Sequence, residues 1–168
     1  MAGSSPDRHN FPHQHSLFSL SSPFFFLLYI QRYSLYFTSW ASTQQSGKLS
    51  HSLMGSGQFD KAGILAADFS GVEAASPGFA LSQEEINSLI TAYTSSDQAF
   101  ANGFSVCGEK FVTIRADERS VYGKKGKEGV IVSRASSCTI IAHHNESVQT
   151  PNAATVVENL VDYLNNPR

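Results

Sequence analysis

"RADERSVYGKKGKEGVIV", residues 115–132, carries the pattern that decides the fold. Two apolar runs, Val121-Tyr122 and Val130-Ile131-Val132, flank a charged segment containing Gly123, Gly126 and Gly129. Branched and aromatic residues on either side of a Gly-bearing polar turn predict a β-hairpin. A phosphate-cradling loop needs G-x-x-x-x-G-K-[ST] between a strand and a helix. "GKKGKEG" has neither the spacing nor the hydroxyl residue, and a strand follows it. The glycines are expected to supply the positive φ angles of a charged turn.

Strand signals continue on both sides of the hairpin. "NGFSVC", "EKFVTIRA", "RSVY", "GVIVSRA" and "CTIIAHH" follow one another with short turns between them, which predicts an antiparallel meander. Upstream, a short helix ending at Gly55-Ser56-Gly57 precedes a strand near Ala62–Ala67 and a second in "SGVEAAS", closed by Pro77-Gly78. "SQEEINSLITAY" predicts a helix over 82–93. Ser82 and Glu85 are spaced for a capping box, and Ile86, Leu89, Ile90 and Tyr93 recur on one face. "TPNAATVVENLVDYL" predicts a closing helix with Thr150 as N-cap, Pro151 in its first turn, and a stripe of Val156, Val157, Leu160, Val161 and Leu164. The fold class is α+β: a central antiparallel sheet of six or seven strands, flanked by N- and C-terminal helices and the helix near 82–93.

Composition narrows the function. Hydrophobic residues make up 41 % of the 168, enough for a core, and the formal net charge of −2 argues against a nucleic-acid binder. Seven of the twelve Lys and Arg nevertheless fall between Lys110 and Arg134, so an anionic partner should meet that segment. Cys107 and Cys138 lie in apolar stretches and read as buried free thiols, not a disulfide framework.

Residues 1–38 differ from the rest. "LFSLSSPFFFLLYI", residues 17–30, is apolar but broken by Ser and Pro23 and is shorter than a bilayer span. Phe, Ser, Leu and Pro share pyrimidine-rich codons, so the stretch reads as a translated pyrimidine tract. Residues 1–38 are therefore expected to be a disordered or mis-assigned extension preceding a domain at 39–168, which the intact mass of the endogenous protein would test.

No catalytic group stands out. Glu84 and Glu85 suit a helix start, and Asp117 and Glu118 suit a turn. Among His51, Cys107, Cys138, His143 and His144 there is no C-x-x-C or H-x-x-x-H spacing, and His143 and His144 point to opposite strand faces. One of the two is expected to face solvent or a partner beside a partly covered neighbour. The sequence nominates no metal, no cofactor and no enzyme activity.

"GSGQFDKAGIL", "SQEEINSLI", "EKFVTIRADERSVYGKKGKEGVIV", "TIIAHH" and "ATVVENLVDYL" resemble, in order and spacing, the profilin family, its fungal members most closely. The resemblance runs from Ser52 to about Leu164. It implies a cytosolic, cytoskeletal protein that binds monomeric actin, phosphoinositide headgroups and proline-rich proteins such as formins. Carried over by position, it implies an actin face containing Lys110, Arg115, Arg119, Lys125 and His143. The overlapping phosphoinositide set is Arg115, Arg119, Lys124, Lys125 and Lys127. Thr155 stands where many relatives have Lys. Arg119→Glu is expected to weaken actin binding with the fold intact.

The polyproline groove that the resemblance implies would be built from Trp40 and Tyr163. A nearby family Tyr falls at Thr43, a family Trp falls at Glu73, and the chain ends "NNPR" without a terminal aromatic. Proline-rich binding is expected to be impaired. Two other readings remain open: a profilin-derived protein that has lost one activity, and a small-ligand-binding or signalling α+β sheet domain. An enclosed apolar cavity would favour the latter, and a filled core would favour profilin.

Overall fold

A computed structural model describes residues 46–166. The reading of residues 1–38 and the groove residue Trp40 lie outside the described residues. The chain runs from a helix whose described part spans residues 46–55 (α1) into β1 (Lys61–Ala66) and β2 (Val72–Ala75). α2 (Gln83–Thr94) and α3 (Ser96–Asn102) follow. The remaining elements are β3 (Phe104–Val106), β4 (Glu109–Ala116), β5 (Ser120–Lys125), β6 (Glu128–Arg134), β7 (Cys138–His144) and α4 (Thr150–Asn165).

The seven strands form one antiparallel sheet in the order β2-β1-β7-β6-β5-β4-β3. The predicted meander is its larger part, with β7 closing back onto β1. Alternation along each strand supplies two cores, one per face. On one face Ile64, Tyr122, Ile131, Ile140 and Ala142 pack beneath Leu53 of α1 and Val157 and Val161 of α4. On the other, Leu65, Phe111, Val121, Val130, Val132 and Ile141 pack beneath Ile86 and Leu89 of α2. Burial from both sides explains why every residue of β7 is buried and why "CTIIAHH" shows no polar alternation. The sheet interior is filled by side chains, the outcome that favours profilin over the small-ligand reading.

Local chemistry fixes the elements. The Ser82–Glu85 capping box forms as its spacing requires. Glu85 also accepts from the Gly108 backbone N–H at 2.6 Å, tying α2 to the β3–β4 turn. Ile90 turns away from the expected apolar face of α2 and is exposed, while Ala92 is buried. The sequence gives no periodic signal for α3, a helix of 7 residues with only Ala99 buried. Gln149, not Thr150, is the N-cap of α4, because the Thr150 hydroxyl is committed to His144 Nε2 at 3.0 Å.

Only one glycine of the hairpin serves the turn. Lys125 pairs with Glu128, leaving Gly126-Lys127 as a two-residue loop in which Gly126 has φ 63°. Gly123 is a mid-strand residue where a Cβ would fall 2.6 Å from Phe104 Cζ and 2.7 Å from Phe111 Cβ. Its lack of a side chain gives two stacked phenylalanines their space.

Candidate functional site

α4 lies over β6 and β7 and does not extend across the outer strands. Beyond it, the same face of the sheet is open. β4 alternates so that Phe111 and Thr113 enter the core while Lys110, Val112 and Ile114 are exposed. Val112 is 65 % and Ile114 49 % exposed, high values for branched residues in a sheet. A register shift between Thr113 and Arg115 inserts Ile114 as an extra residue and brings Arg115 opposite Tyr122. Lys124 is paired with Val112 in the sheet. The result is an apolar centre edged by Lys110, Lys124 and Arg115. Beside it, Ile114, Lys124 and Lys127 line a groove of about 380 Å³ together with Gln149, Thr150 and Pro151 at the start of α4.

Sequence reasoning missed Val112 and Ile114. In "FVTI" both alternate sets are compatible with burial, so the pattern cannot say which faces the core. The reach of α4 decides it.

The five expected actin-face residues do not share one face. Lys110 and Arg115 lie on the α4 side of the sheet. Lys125 lies on the other, where its Nζ donates to Glu109 Oε2 at 2.8 Å. His143 is also there, edge-on to Phe111 with ring centroids 5.8 Å apart. Neither histidine faces solvent: His143 is 6 % and His144 0 % exposed, because both strand faces are covered at the end of β7. His143 Nδ1 is hydrogen-bonded to Asp60 Oδ1 at 2.6 Å.

Among the phosphoinositide set, Lys124 and Lys127 cluster at the hairpin end of β5. Arg115 lies opposite Tyr122, roughly 7 Å back along β5 from Lys124, and Arg119 precedes the strand, roughly 17 Å from Lys124. Both arginines are paired: Arg115 with Asp117 at 2.8 Å, and Arg119 with Glu158 at 2.9 Å and Asp162 at 2.7 Å on α4. Their guanidinium pKa values are raised, first by the side-chain hydrogen bonds to Asp117 and to Asp162 respectively. The expectation that Arg119→Glu leaves the fold alone is therefore corrected, because Arg119 fastens α4 to the sheet.

The aromatic groove is sparse. Ser52 and Leu53 of α1 and Val156, Asn159, Leu160 and Tyr163 of α4 line a depression of about 270 Å³. Tyr163 is its single aromatic among the described residues and is 60 % exposed. Glu73 does not stay in solvent: its carboxylate accepts from the Ser46 hydroxyl at 2.5 Å. A carboxylate hydrogen-bonded to α1 therefore stands where the resemblance places a Trp.

A cleft of about 710 Å³ runs between the start of α2 and the β3–β4 turn, past Ser82, Glu85, Ser105 and Cys107. It is open to solvent, and the Glu85 carboxylate is already occupied by the Ser82 and Gly108 N–H groups.

Fold and surface define the class first: an α+β domain with a seven-stranded antiparallel sheet, helices on both faces, and an uncovered patch of apolar and basic residues on β4 and β5. The family model for profilin matches residues 41–168. The chain is 40 % identical over 113 residues to a profilin of Schizosaccharomyces pombe, covering 67 % of this chain and 89 % of that one. It is 44 % identical over 112 residues to profilin-2 of Acanthamoeba castellanii, covering 67 % and 88 %. The crystal structure of Acanthamoeba castellanii profilin II superposes with a TM-score of 0.67 at 40 % identity, covering 71 % of this chain and 96 % of that one. The chain belongs to the profilin family, whose members are actin-binding regulators and not enzymes.

Proposed function

We propose that this protein binds monomeric actin through the open sheet face around Val112 and Ile114, with Lys110, Lys124 and Arg115 at its edge, and so regulates filament assembly in the cytoplasm and cytoskeleton. The observation that carries the placement is the exposed branched pair on β4, ringed by cations, on the part of the sheet face that α4 does not reach. An apolar centre with a charged rim is the anatomy of a protein-docking surface. The cations steer an acidic partner, and the apolar centre supplies most of the affinity. Lys125 and His143, on the opposite sheet face, belong to the edge of this interface or outside it.

Actin-monomer binding tests the placement. Val112→Asp puts a charge at the centre of the patch without touching the core. It is expected to weaken binding roughly tenfold, about 1.4 kcal/mol, with an unchanged thermal melt. Binding equal to the parent's would move the interface elsewhere. A form starting at Ser39 is expected to bind as the full chain does.

Phosphoinositide headgroups are proposed to use Lys124 and Lys127 at the groove beside α4, so lipid and actin compete for Lys124. Arg115 and Arg119 contribute less, because their charges are already met by carboxylates. Proline-rich partners such as formins are proposed to bind weakly. Stacking of polyproline rings needs several aromatic faces, and the described groove offers Tyr163 alone. A fluorescence titration with decaproline is expected to show no saturation in the low-micromolar range. Saturable low-micromolar binding would remove the case for impairment.

A further inference from the structure

We infer that Glu109, Glu128 and His143 form a binding site for one divalent transition-metal ion, zinc in the first instance. The three come from the start of β4, the start of β6 and the end of β7, all at the same end of the sheet and on the α2 side. One ligand atom from each lies within 4.8 Å of the other two.

His143 is 6 % exposed, and its Nε2 has no hydrogen-bond partner. Buried polar atoms are nearly always paired, so an orphan of this kind calls for an explanation. Nδ1 is taken by Asp60 at 2.6 Å, which leaves Nε2 as the ring nitrogen free to act as a ligand. When the ring donates its Nδ1–H to Asp60, any lone pair it offers a metal lies on Nε2. That tautomer is the form a metal ligand requires. A carboxylate behind a ligating histidine also fixes the ring's orientation and raises its basicity.

The donor set selects the ion. One imidazole nitrogen and two carboxylate oxygens suit a borderline ion such as zinc better than calcium or magnesium, which prefer all-oxygen shells. Three protein ligands would leave the fourth tetrahedral position to water. Ligand atoms around tetrahedral zinc stand ~3.3 Å apart at ordinary bond lengths. The two glutamates are only partly buried and can rotate inward to meet the fixed imidazole.

Lys125 is the internal competitor. Its ammonium lies 2.8 Å from Glu109 Oε2, so cation and metal are alternatives for that carboxylate. The sequence did not point to this site because its ligands are scattered over 35 residues with no motif spacing. Only the strand order 7-6-5-4 brings them together.

The test is a zinc chloride titration of the full chain by calorimetry, alongside Glu109→Gln/Glu128→Gln and Asp60→Asn. Residues His9, His13 and His15 could take zinc on their own, so the difference between parent and variant is the readout. The parent should bind one more equivalent than the double variant. Asp60→Asn should weaken that equivalent about 10–100-fold. In the parent, the imidazole nitrogen resonances of His143 should shift on zinc addition, a measurement that stands even if a variant folds poorly. Equal uptake by parent and double variant, or unmoved His143 resonances, would overturn the site and assign Nε2 to a bound water.

Discussion

Replacing Glu158 with alanine is expected to lower the free energy of unfolding by about 2–3 kcal/mol, seen as a shift of the urea midpoint with unchanged slope. Glu158 sits on the sheet-facing side of α4, and one of its oxygens accepts from Ser120 Oγ at 2.6 Å and from the Tyr122 hydroxyl at 2.8 Å. Ser133 Oγ lies 3.4 Å from the same atom. The other oxygen meets the Arg119 guanidinium at 2.9 Å. Ser120 and Ser133 are 1 % and 0 % exposed, so no solvent replaces a lost acceptor. They can still bond each other at 2.8 Å, which leaves the Tyr122 hydroxyl and Arg119 most affected. Arg119 Nε is already buried without a partner, so losing Glu158 deepens an existing deficit. The charge left behind, Arg119, is 42 % exposed and keeps Asp162 at 2.7 Å, so most of the cost is that of the hydrogen bonds lost to a charged acceptor, about 1.5–3 kcal/mol.

Glu158→Gln separates charge from shape. It keeps an acceptor for Tyr122 and loses the ion pair, so about half of the alanine effect is expected. Equal effects of the two substitutions would show that the charge, and not the acceptor, holds α4 in place. The same geometry changes what Arg119→Glu reports. It sets a third carboxylate beside Glu158 and Asp162, and any loss of partner binding would arrive through a loosened α4.

Much of this was legible in the sequence, for identifiable reasons. The capping box of α2 and the meander could be read because each rests on neighbours in the chain. The stripe of α4 was legible too, although its buried members are Val157 and Val161 with Ala153. The misses share a different cause. Thr150 looks like an N-cap until His144 claims its hydroxyl from another element. Arg119 looks like a free surface charge until α4 packs across it. Gly123 looks like a turn residue until Phe104 and Phe111 stack over it. Family resemblance implied one basic set, but strand alternation distributes it over two faces. Each correction comes from a contact between different elements.

The second large effect is alkaline. Between pH 10 and pH 12 the protein is expected to lose about 4 kcal/mol of stability, from two tyrosines that ionise less readily folded than unfolded. Burial, then the hydrogen bond to Glu158, pushes the Tyr122 phenol up to about 12. Tyr93 is raised further, chiefly by burial, even though the Arg134 guanidinium lies 5.3 Å from its ring and favours ionisation. Its hydroxyl donates to the Val132 carbonyl at 2.9 Å, a bond that a phenolate would turn into repulsion. An unfolded tyrosine ionises near 10. Above that pH the unfolded chain holds up to two fewer protons than the folded one, so stability falls by up to about 2.7 kcal/mol per pH unit. Below about pH 9 both states are protonated and these groups add no pH dependence. A loss of this size is comparable to the whole stability of a small domain. Cooperative unfolding by circular dichroism should therefore coincide with a step in phenolate absorbance before pH 12. Tyr93→Phe should roughly halve the slope, to about 1.4 kcal/mol per unit. Phenolate absorbance from both tyrosines appearing well below the unfolding transition would show that the two hydroxyls reach solvent in the folded protein.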